Sequence, residues 1–137
     1  MTREETIKIL AILKAAYPNS YKNMTKDEAN GTVMVWATQF ADAPADIVMI
    51  AINKLISTNT FPPSISEVKS KIKNLYWEAW CRLDEHKKMP FLDDTTVKQL
   101  ERIIDYTEPM RARGDCETSL TSLLNGYTQK YLGGGTV

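Results

Sequence analysis

Apolar residues recur every three or four positions in several separate stretches of this 137-residue chain. That spacing places the apolar side chains on one face of a helix, whereas a half-buried strand alternates apolar and polar positions. Strand-like alternation is scarce, and no Asn-Gly or Asp-Gly turn joins two alternating segments. The pattern therefore predicts an all-α fold.

The predicted helices begin at residues suited to cap them. Residues 2–5 (TREE) and 25–28 (TKDE) each place a glutamate three positions after a threonine, which is the pattern of a capping box. Pro18 ends the first helix because it cannot donate the next hydrogen bond. Pro44 is expected near the first turn of a third helix, where a missing N–H costs nothing. These signals predict a small helical N-terminal bundle.

A long fourth helix is predicted to follow the break at Phe61-Pro62-Pro63. Residues 64–67 (SISE) form a third capping box, and the helix is expected to continue for about 24 residues to Lys87 or Lys88. Its apolar seam consists of Ile65, Val68, Ile72, Leu75, Ala79 and Leu83. Such a helix is longer than the mean of about 11–12 residues. Because Phe61 directly precedes the two prolines, we expect it in the core.

The second half of the chain is predicted to be a C-terminal helical extension. Residues 1–88 are expected to form the N-terminal domain, and residues 89–94 a linker. Residues 95–132 would hold a fifth helix, punctuated by Pro109 and Gly114, and a last helix near 117–131. The glycine-rich tail, 133–137, is expected to be flexible.

Composition and charge narrow the class of protein. Seventeen basic residues balance seventeen acidic ones, so direct nucleic-acid binding is not expected from overall charge. Apolar runs fall far short of the ~20 residues of a membrane span, so no membrane contact is expected. Two cysteines, Cys81 and Cys116, and a start without a signal-peptide pattern indicate reduced thiols in the cytoplasm.

The sequence offers little that could carry a reaction. It has no Walker A pattern, and its single histidine, His86, is interpreted as a solvated helix residue. Cys81 lies mid-helix, where an inert thiol is expected, and Asp93-Asp94 is interpreted as a helix cap rather than a metal site. We predict no enzyme activity, catalytic residue, metal or cofactor.

Three alternatives remain at this stage. The first is a DNA-binding face on the fourth helix that combines basic and aromatic residues: Lys69, Lys71, Lys73, Tyr76, Trp77 and Trp80. A helix-turn-helix is a related possibility, although residues 44–57 bring only Asn53 and Lys54 to a base edge. The third alternative is a module that oligomerises through the apolar seam of the fourth helix.

Four motifs in the first half resemble those of a known family. They are LKAAYP at residues 13–18, Met24-Thr25, Trp36 with Phe40, and FPPSISE at residues 61–67. In order and spacing they resemble the phage-encoded replicative helicase loader/inhibitor proteins of Gram-positive phages, over about residues 1–75.

The resemblance implies a non-enzymatic adaptor. Such proteins have a small all-helical N-terminal domain and a C-terminal part that is mobile when free. They bind a hexameric DnaB-type helicase, restrain its ATPase and DNA loading, and contact the phage origin-binding protein. A small phage DNA-binding protein is the alternative interpretation.

The apolar residues of the second half are the candidate partner-binding set. Trp77 and Trp80 lie largely off the seam of the fourth helix, so either later helices or another protein must cover them. The remaining candidates are apolar or aromatic residues of the last two predicted helices: Leu100, Ile103, Ile104, Tyr106, Leu120, Leu123, Leu124, Tyr127 and Tyr131.

Overall fold

The structure is a computed structural model that describes residues 1–112. Within this part of the chain every regular element is helical, which confirms the predicted all-α fold. A short 3-10 turn, Pro18–Ser20, follows the first helix. The five α-helices are α1 (Arg3–Ala16), α2 (Lys26–Gln39), α3 (Ala45–Ile56), α4 (Ile65–Lys88) and α5 (Asp94–Ala112).

The predicted caps begin the helices as expected. Thr2 Oγ1 accepts the Glu5 N–H at 3.2 Å, and the Thr2 N–H donates to Glu5 Oε1 at 2.8 Å. Ser64 and Glu67 make the same reciprocal pair, with both distances 3.1 Å. At α2 only one half of the predicted capping box forms, in which Thr25 Oγ1 accepts the Glu28 N–H at 3.1 Å. Each bond satisfies an N–H that the helix itself leaves unpaired.

By its internal contacts the described chain divides into two units, residues 1–72 and residues from 73 onward, with the division inside α4. The core of the first unit is built around α3, whose buried residues are Ile47, Val48, Ala51 and Ile52. All four are at most 1% exposed. The predicted domain boundaries at 88 and 94 stay a prediction, although α4 does end at Lys88.

Two further helices complete the core of the first unit. From α1, Ile9 and Leu13 are buried, and from α2, Trp36 and Phe40 are buried with their rings 5.6 Å apart. The Met1 ammonium group lies at the C-terminal end of α2 and donates to the Ala43 carbonyl oxygen at 2.8 Å. A positive charge there is favourable because the last carbonyl groups of a helix carry partial negative charge.

The second unit buries residues from both of its described helices. On α4 these are Leu75, Tyr76 and Ala79; on α5 the least exposed are Ile103 and Thr107. The Thr107 hydroxyl donates to the Ile103 carbonyl oxygen at 2.7 Å, so this buried polar group is satisfied inside its own helix. None of the described helices is long and apolar enough to cross a membrane.

One expectation about the first unit is wrong, and the punctuation expected in the fifth helix is only local. Phe61 is 76% exposed rather than core, and Pro63, two residues later, is buried in its place. Pro109 does not end α5, which continues to Ala112. A proline removes one backbone donor, and here it lies within four residues of the helix end, where few further hydrogen bonds depend on it.

The different exposures of Phe61 and Phe40 predict different effects of alanine substitution on the free energy of unfolding. Phe61→Ala should change the free energy of unfolding by less than about 0.5 kcal/mol, because the ring is in water in the folded chain. Phe40→Ala is the matched comparison, since Phe40 is 2% exposed, and it should cost about 3–5 kcal/mol. Urea unfolding of both variants tests this, and equal losses would contradict the structure.

The capping glutamates make stability depend on pH. Hydrogen bonds from the Thr2 backbone hold the pKa of Glu5 below its usual range. Hydrogen bonds from Ser64 and then Asn59 do the same for the pKa of Glu67. Because the pKa of each glutamate is lowered in the folded chain, the unfolded chain binds protons at a higher pH than the folded chain does. The contribution of each ionised glutamate to the free energy of unfolding is therefore complete above the ordinary glutamate pKa, and it is lost as the pH falls through the lowered pKa.

We therefore expect the melting temperature to fall as the pH drops below about 4.3, the ordinary glutamate value. The double variant Glu5→Gln with Glu67→Gln should show a shallower fall, because glutamine still accepts hydrogen bonds but does not titrate. Glu4→Gln, an exposed change in the same helix turn, is the control. Melting curves from pH 7 to pH 2.5 measure the effect. If the melting temperature of the double variant falls with pH as steeply as that of the unsubstituted chain, the role of these two glutamates is refuted.

Candidate partner-binding site

A groove between α4 and α5 is the candidate site in the second unit. Its volume is about 290 Å3. The wall from α4 and the wall from α5 combine apolar side chains with charged ones at the rim. The lining residues, which we call the α4–α5 groove, are Trp80, Leu83, Asp84, His86, Lys87, Val97, Glu101 and Ile104.

An exposed tryptophan is one of the apolar residues that line this groove. Trp80 is 46% exposed. Its ring lies 6.4 Å from that of Trp77, which in turn meets the Tyr76 ring edge-on at 4.7 Å. Tyr76 is buried and Trp77 is half-buried. The three aromatic rings therefore run from the core to the surface, and each ring lies against the next.

His86 fixes the chain where it leaves α4. Its Nδ1 atom accepts the N–H groups of both Phe91 and Leu92, each at 3.1 Å. Its ring also meets that of Phe91 with centroids 5.9 Å apart. Because Nδ1 accepts twice, the ring proton belongs on Nε2. The expectation of a simply solvated histidine is wrong: the side chain is half-buried and organises the connection to α5.

The charges around the α4–α5 groove are mixed. Asp84 and Glu101 bring carboxylates and Lys87 brings an ammonium group. Lys88, just beyond, forms an exposed ion pair with Asp84 at 3.3 Å. An exposed pair of this kind adds little to stability, at most about 1 kcal/mol. The groove therefore favours an apolar partner surface with polar groups at its edge rather than a polyanion.

Two other side chains of this unit, Asp93 and Cys81, were considered for chemistry. Asp93 accepts the Thr96 N–H at 3.0 Å, which confirms it as the cap of α5. Hydrogen bonds from Thr96 hold the pKa of Asp93 below its usual range. Cys81 is a free, exposed thiol. Within residues 1–112 no group of three or more histidine, cysteine or carboxylate side chains is arranged to hold a metal ion.

The structure brings together only part of the predicted partner-binding set. Trp80 and Ile104 line the α4–α5 groove, and Trp77 lies beside Trp80. Leu100 and Ile103 are 7% and 4% exposed, and Tyr106 is half-buried. The other five lie outside the described residues: Leu120, Leu123, Leu124, Tyr127 and Tyr131. Participation of all these residues in binding stays a prediction.

Sequence reasoning misses groove residues on both helices, namely Leu83, Asp84, His86, Lys87, Val97 and Glu101. Leu83 falls in the predicted buried seam, and helical spacing marks Val97 only as an apolar residue. A signal is present: Trp80, Leu83, Asp84 and Lys87 follow one another at spacings of three, one and three, which puts them on one face of α4. The spacing of residues within α4 does not show that α5 lies opposite this face.

The basic and aromatic residues of α4 do not form one exposed face. Lys69 Nζ donates to Gln39 Oε1 at 2.8 Å and lies 5.8 Å from the centroid of the Phe40 ring. Tyr76 is buried, so its ring is not available to stack on a base. These contacts give the lysine a structural role and leave the nucleic-acid alternative without a specific observation in its favour.

The described part of the chain is helical, and its second unit carries an apolar groove between two helices. Grooves of this kind commonly receive an apolar side chain or an amphipathic helix of another protein. The α4–α5 groove is therefore suited to binding another protein.

Comparison with known proteins identifies the family. Residues 1–69 match the family model for the N-terminal domain of the helicase loader/inhibitor of phage SPP1. Because the match covers half of the 137 residues, the chain belongs to this family of phage helicase loader/inhibitor proteins, as the resemblance of its motifs predicted. No curated protein and no solved structure gives a significant match.

The two hydrogen bonds to His86 lead to a prediction about the α4–α5 connection. His86→Phe keeps an aromatic ring against Phe91 but removes the acceptor, so it should cost about 1 kcal/mol, the usual net value of such bonds. Amide exchange at Phe91 and Leu92 should become faster. Lys88→Ala, which breaks only an exposed ion pair, is the control. Unchanged exchange at both amides in the phenylalanine variant would contradict this role.

Proposed function

We propose that this protein is a non-enzymatic adaptor that binds a hexameric DnaB-type replicative helicase. In this proposal it restrains the ATPase and the DNA loading of the helicase and brings it to a phage origin through the phage origin-binding protein. Family membership supports the general role of a helicase loader/inhibitor. The proposal places the protein in the cytoplasm of the host bacterium.

The α4–α5 groove is the observation that supports binding of a protein partner. A half-exposed tryptophan, Trp80, stands beside a cavity of about 290 Å3. Tryptophan is among the residues that contribute most to protein–protein affinity, because a large rigid ring is buried at little entropic cost. We propose that an apolar side chain of the helicase fills the groove and covers Trp80.

The proposed contact also includes the apolar residues predicted for the last helix. Leu120, Leu123, Leu124 and Tyr127 recur at helical spacing, and Tyr131 continues the pattern. A short amphipathic helix of this kind suits a contact that forms on binding. Leu100 and Ile103 then have a supporting role, since both are already buried in α5.

Restraint of the helicase follows from binding alone. A protein that carries out no reaction changes its partner only through different affinities for the partner's conformations. If the adaptor binds most tightly to a ring conformation that does not close on DNA, loading and ATP hydrolysis decrease. Competition from the origin-binding protein for the adaptor then releases the helicase at the origin.

Size-exclusion chromatography with light scattering tests this proposal directly. The full chain is mixed with purified DnaB-type hexamers of host and phage, with and without ATP. A complex of defined mass supports the adaptor role and gives its stoichiometry. The complex should keep most of its affinity at moderate salt concentration, whereas the affinity of binding to DNA phosphates would fall steeply as the salt concentration rises. Absence of a complex with either helicase in every nucleotide state would refute the proposal.

Variants of the proposed surface locate the contact. Trp80→Ala should weaken the helicase complex by at least about tenfold, which corresponds to 1.4 kcal/mol. Met89→Ala is the matched control, because Met89 is also an exposed apolar residue, at 76%, but does not line the α4–α5 groove. Equal affinities for the two variants would remove the groove from the interface.

The predicted last helix is tested in the same assay. Leu123→Asp with Leu124→Asp should abolish the complex, because two carboxylates replace two apolar anchors. The circular dichroism melt of the first unit should stay unchanged, since these positions lie outside residues 1–72. Undiminished binding by this double variant would exclude the helix from the contact.

A further inference from the structure

The first helix carries a second apolar face that the core does not use. Its buried face is formed by Thr6, Ile9 and Leu13. About a quarter of a turn away, a groove of about 280 Å3 opens between α1 and α2 in the first unit. The residues that line it, which define the α1–α2 groove, are Ile7, Leu10, Ala11, Lys14, Tyr21, Lys22, Met24, Ala29, Thr32 and Val33.

The groove exists because the side chains of α2 change in size along the helix. The residues nearer its N-terminus, Ala29, Thr32 and Val33, are small and leave space against α1. Farther along the same face, Trp36 and Phe40 are large and fill the core. Ile7 is 45% exposed on the other wall, so the groove presents apolar surface to water.

The charges lining the α1–α2 groove have one sign. Lys14 near the end of α1 and Lys22 in the following connection both contribute to its lining, and no carboxylate does. The acidic residues in the first turn of α2, Asp27 and Glu28, are exposed and do not line it. Long lysine stems lie along apolar surface while their ammonium groups reach toward water. A partner with carboxylates near these ammonium groups would be complementary.

We propose that the α1–α2 groove binds an amphipathic helix of a partner protein, with apolar anchors one turn apart and acidic residues beside them. The wall on α1 runs from Ile7 to Lys14, which is about 10 Å at 1.5 Å per residue. Two turns of a helix match this length, with anchors at i, i+3 or i+4, and i+7.

A helix suits these walls better than an extended segment. Both walls are helices, whose backbone groups are hydrogen-bonded within the helix itself and offer no edge for strand pairing. An extended segment in an apolar groove would leave its own amides without partners, whereas a helix satisfies its backbone internally. The surface lies in a different unit from the α4–α5 groove, so this contact is distinct from the helicase contact proposed above.

Two synthetic peptides test the proposal on the full chain. Both have leucines at i, i+3, i+4 and i+7 of a 16-residue helix; one has glutamates beside the leucines and the other has lysines. Fluorescence anisotropy should show at least about tenfold tighter binding of the glutamate peptide. Its amide chemical-shift changes should centre on Leu10, Ala29 and Val33. Equal affinities of the two peptides, or shifts centred elsewhere, would overturn the proposal.

Charge reversal provides the matched control. Lys14→Glu should weaken binding of the glutamate peptide at least about tenfold and strengthen binding of the lysine peptide. Lys54→Glu changes the net charge equally at an exposed position of α3 outside the groove, and it should have little effect. Equal losses in both variants would indicate general charge attraction and overturn the site. Light scattering of the chain alone is the last test, because self-association lost in Lys14→Glu would assign the groove to a second copy instead.

Discussion

Burial of α3 is the constraint on which the first unit depends. Ile47, Val48, Ala51 and Ile52 are at most 1% exposed, so other elements must exclude water from this helix almost completely. Helix α1 contributes the face that contains Ile9 and Leu13. A helix of 14 residues has only one side available for that purpose, and its remaining apolar residues stay outside the core. The α1–α2 groove is therefore a consequence of how the core is covered.

Local features could be predicted from the sequence because their causes are local. The caps at Thr2, Thr25 and Ser64 depend on residues three positions apart, and the structure reproduces each one. The predictions for Phe61 and His86 are wrong because the surroundings of both residues are set by other parts of the fold. No pattern near Phe61 shows that Pro63 takes the buried position, and nothing in α4 alone shows that His86 accepts two hydrogen bonds from the following segment.

The candidate site could be predicted only in part for the same reason. Helical spacing indicates that Trp80 lies largely off the seam of α4, but it does not show whether other helices cover the ring, which is 46% exposed in the structure. The opposite wall depends on how α5 faces α4, which residue spacing does not specify. The two grooves also differ in charge: carboxylates and a lysine surround the α4–α5 groove, whereas lysines alone line the α1–α2 groove. This difference favours partners of different chemistry, because a partner that carries charges of the same sign as the groove is repelled.

The size of these surfaces bears on how a small adaptor could restrain a hexameric ring. Reversing an equilibrium from 1:99 to 99:1 takes about 5.5 kcal/mol of preferential binding. One buried tryptophan at an interface supplies about 2–4 kcal/mol in all, and only the part that differs between the two ring conformations counts. A single copy would therefore shift the ring weakly. If one copy bound to each subunit of a hexameric ring, the six preferences would add, so about 1 kcal/mol at each site would suffice. Under that condition a modest groove on each copy would be enough for the proposed restraint, and weak individual sites would still permit release when a competitor removes the copies one at a time.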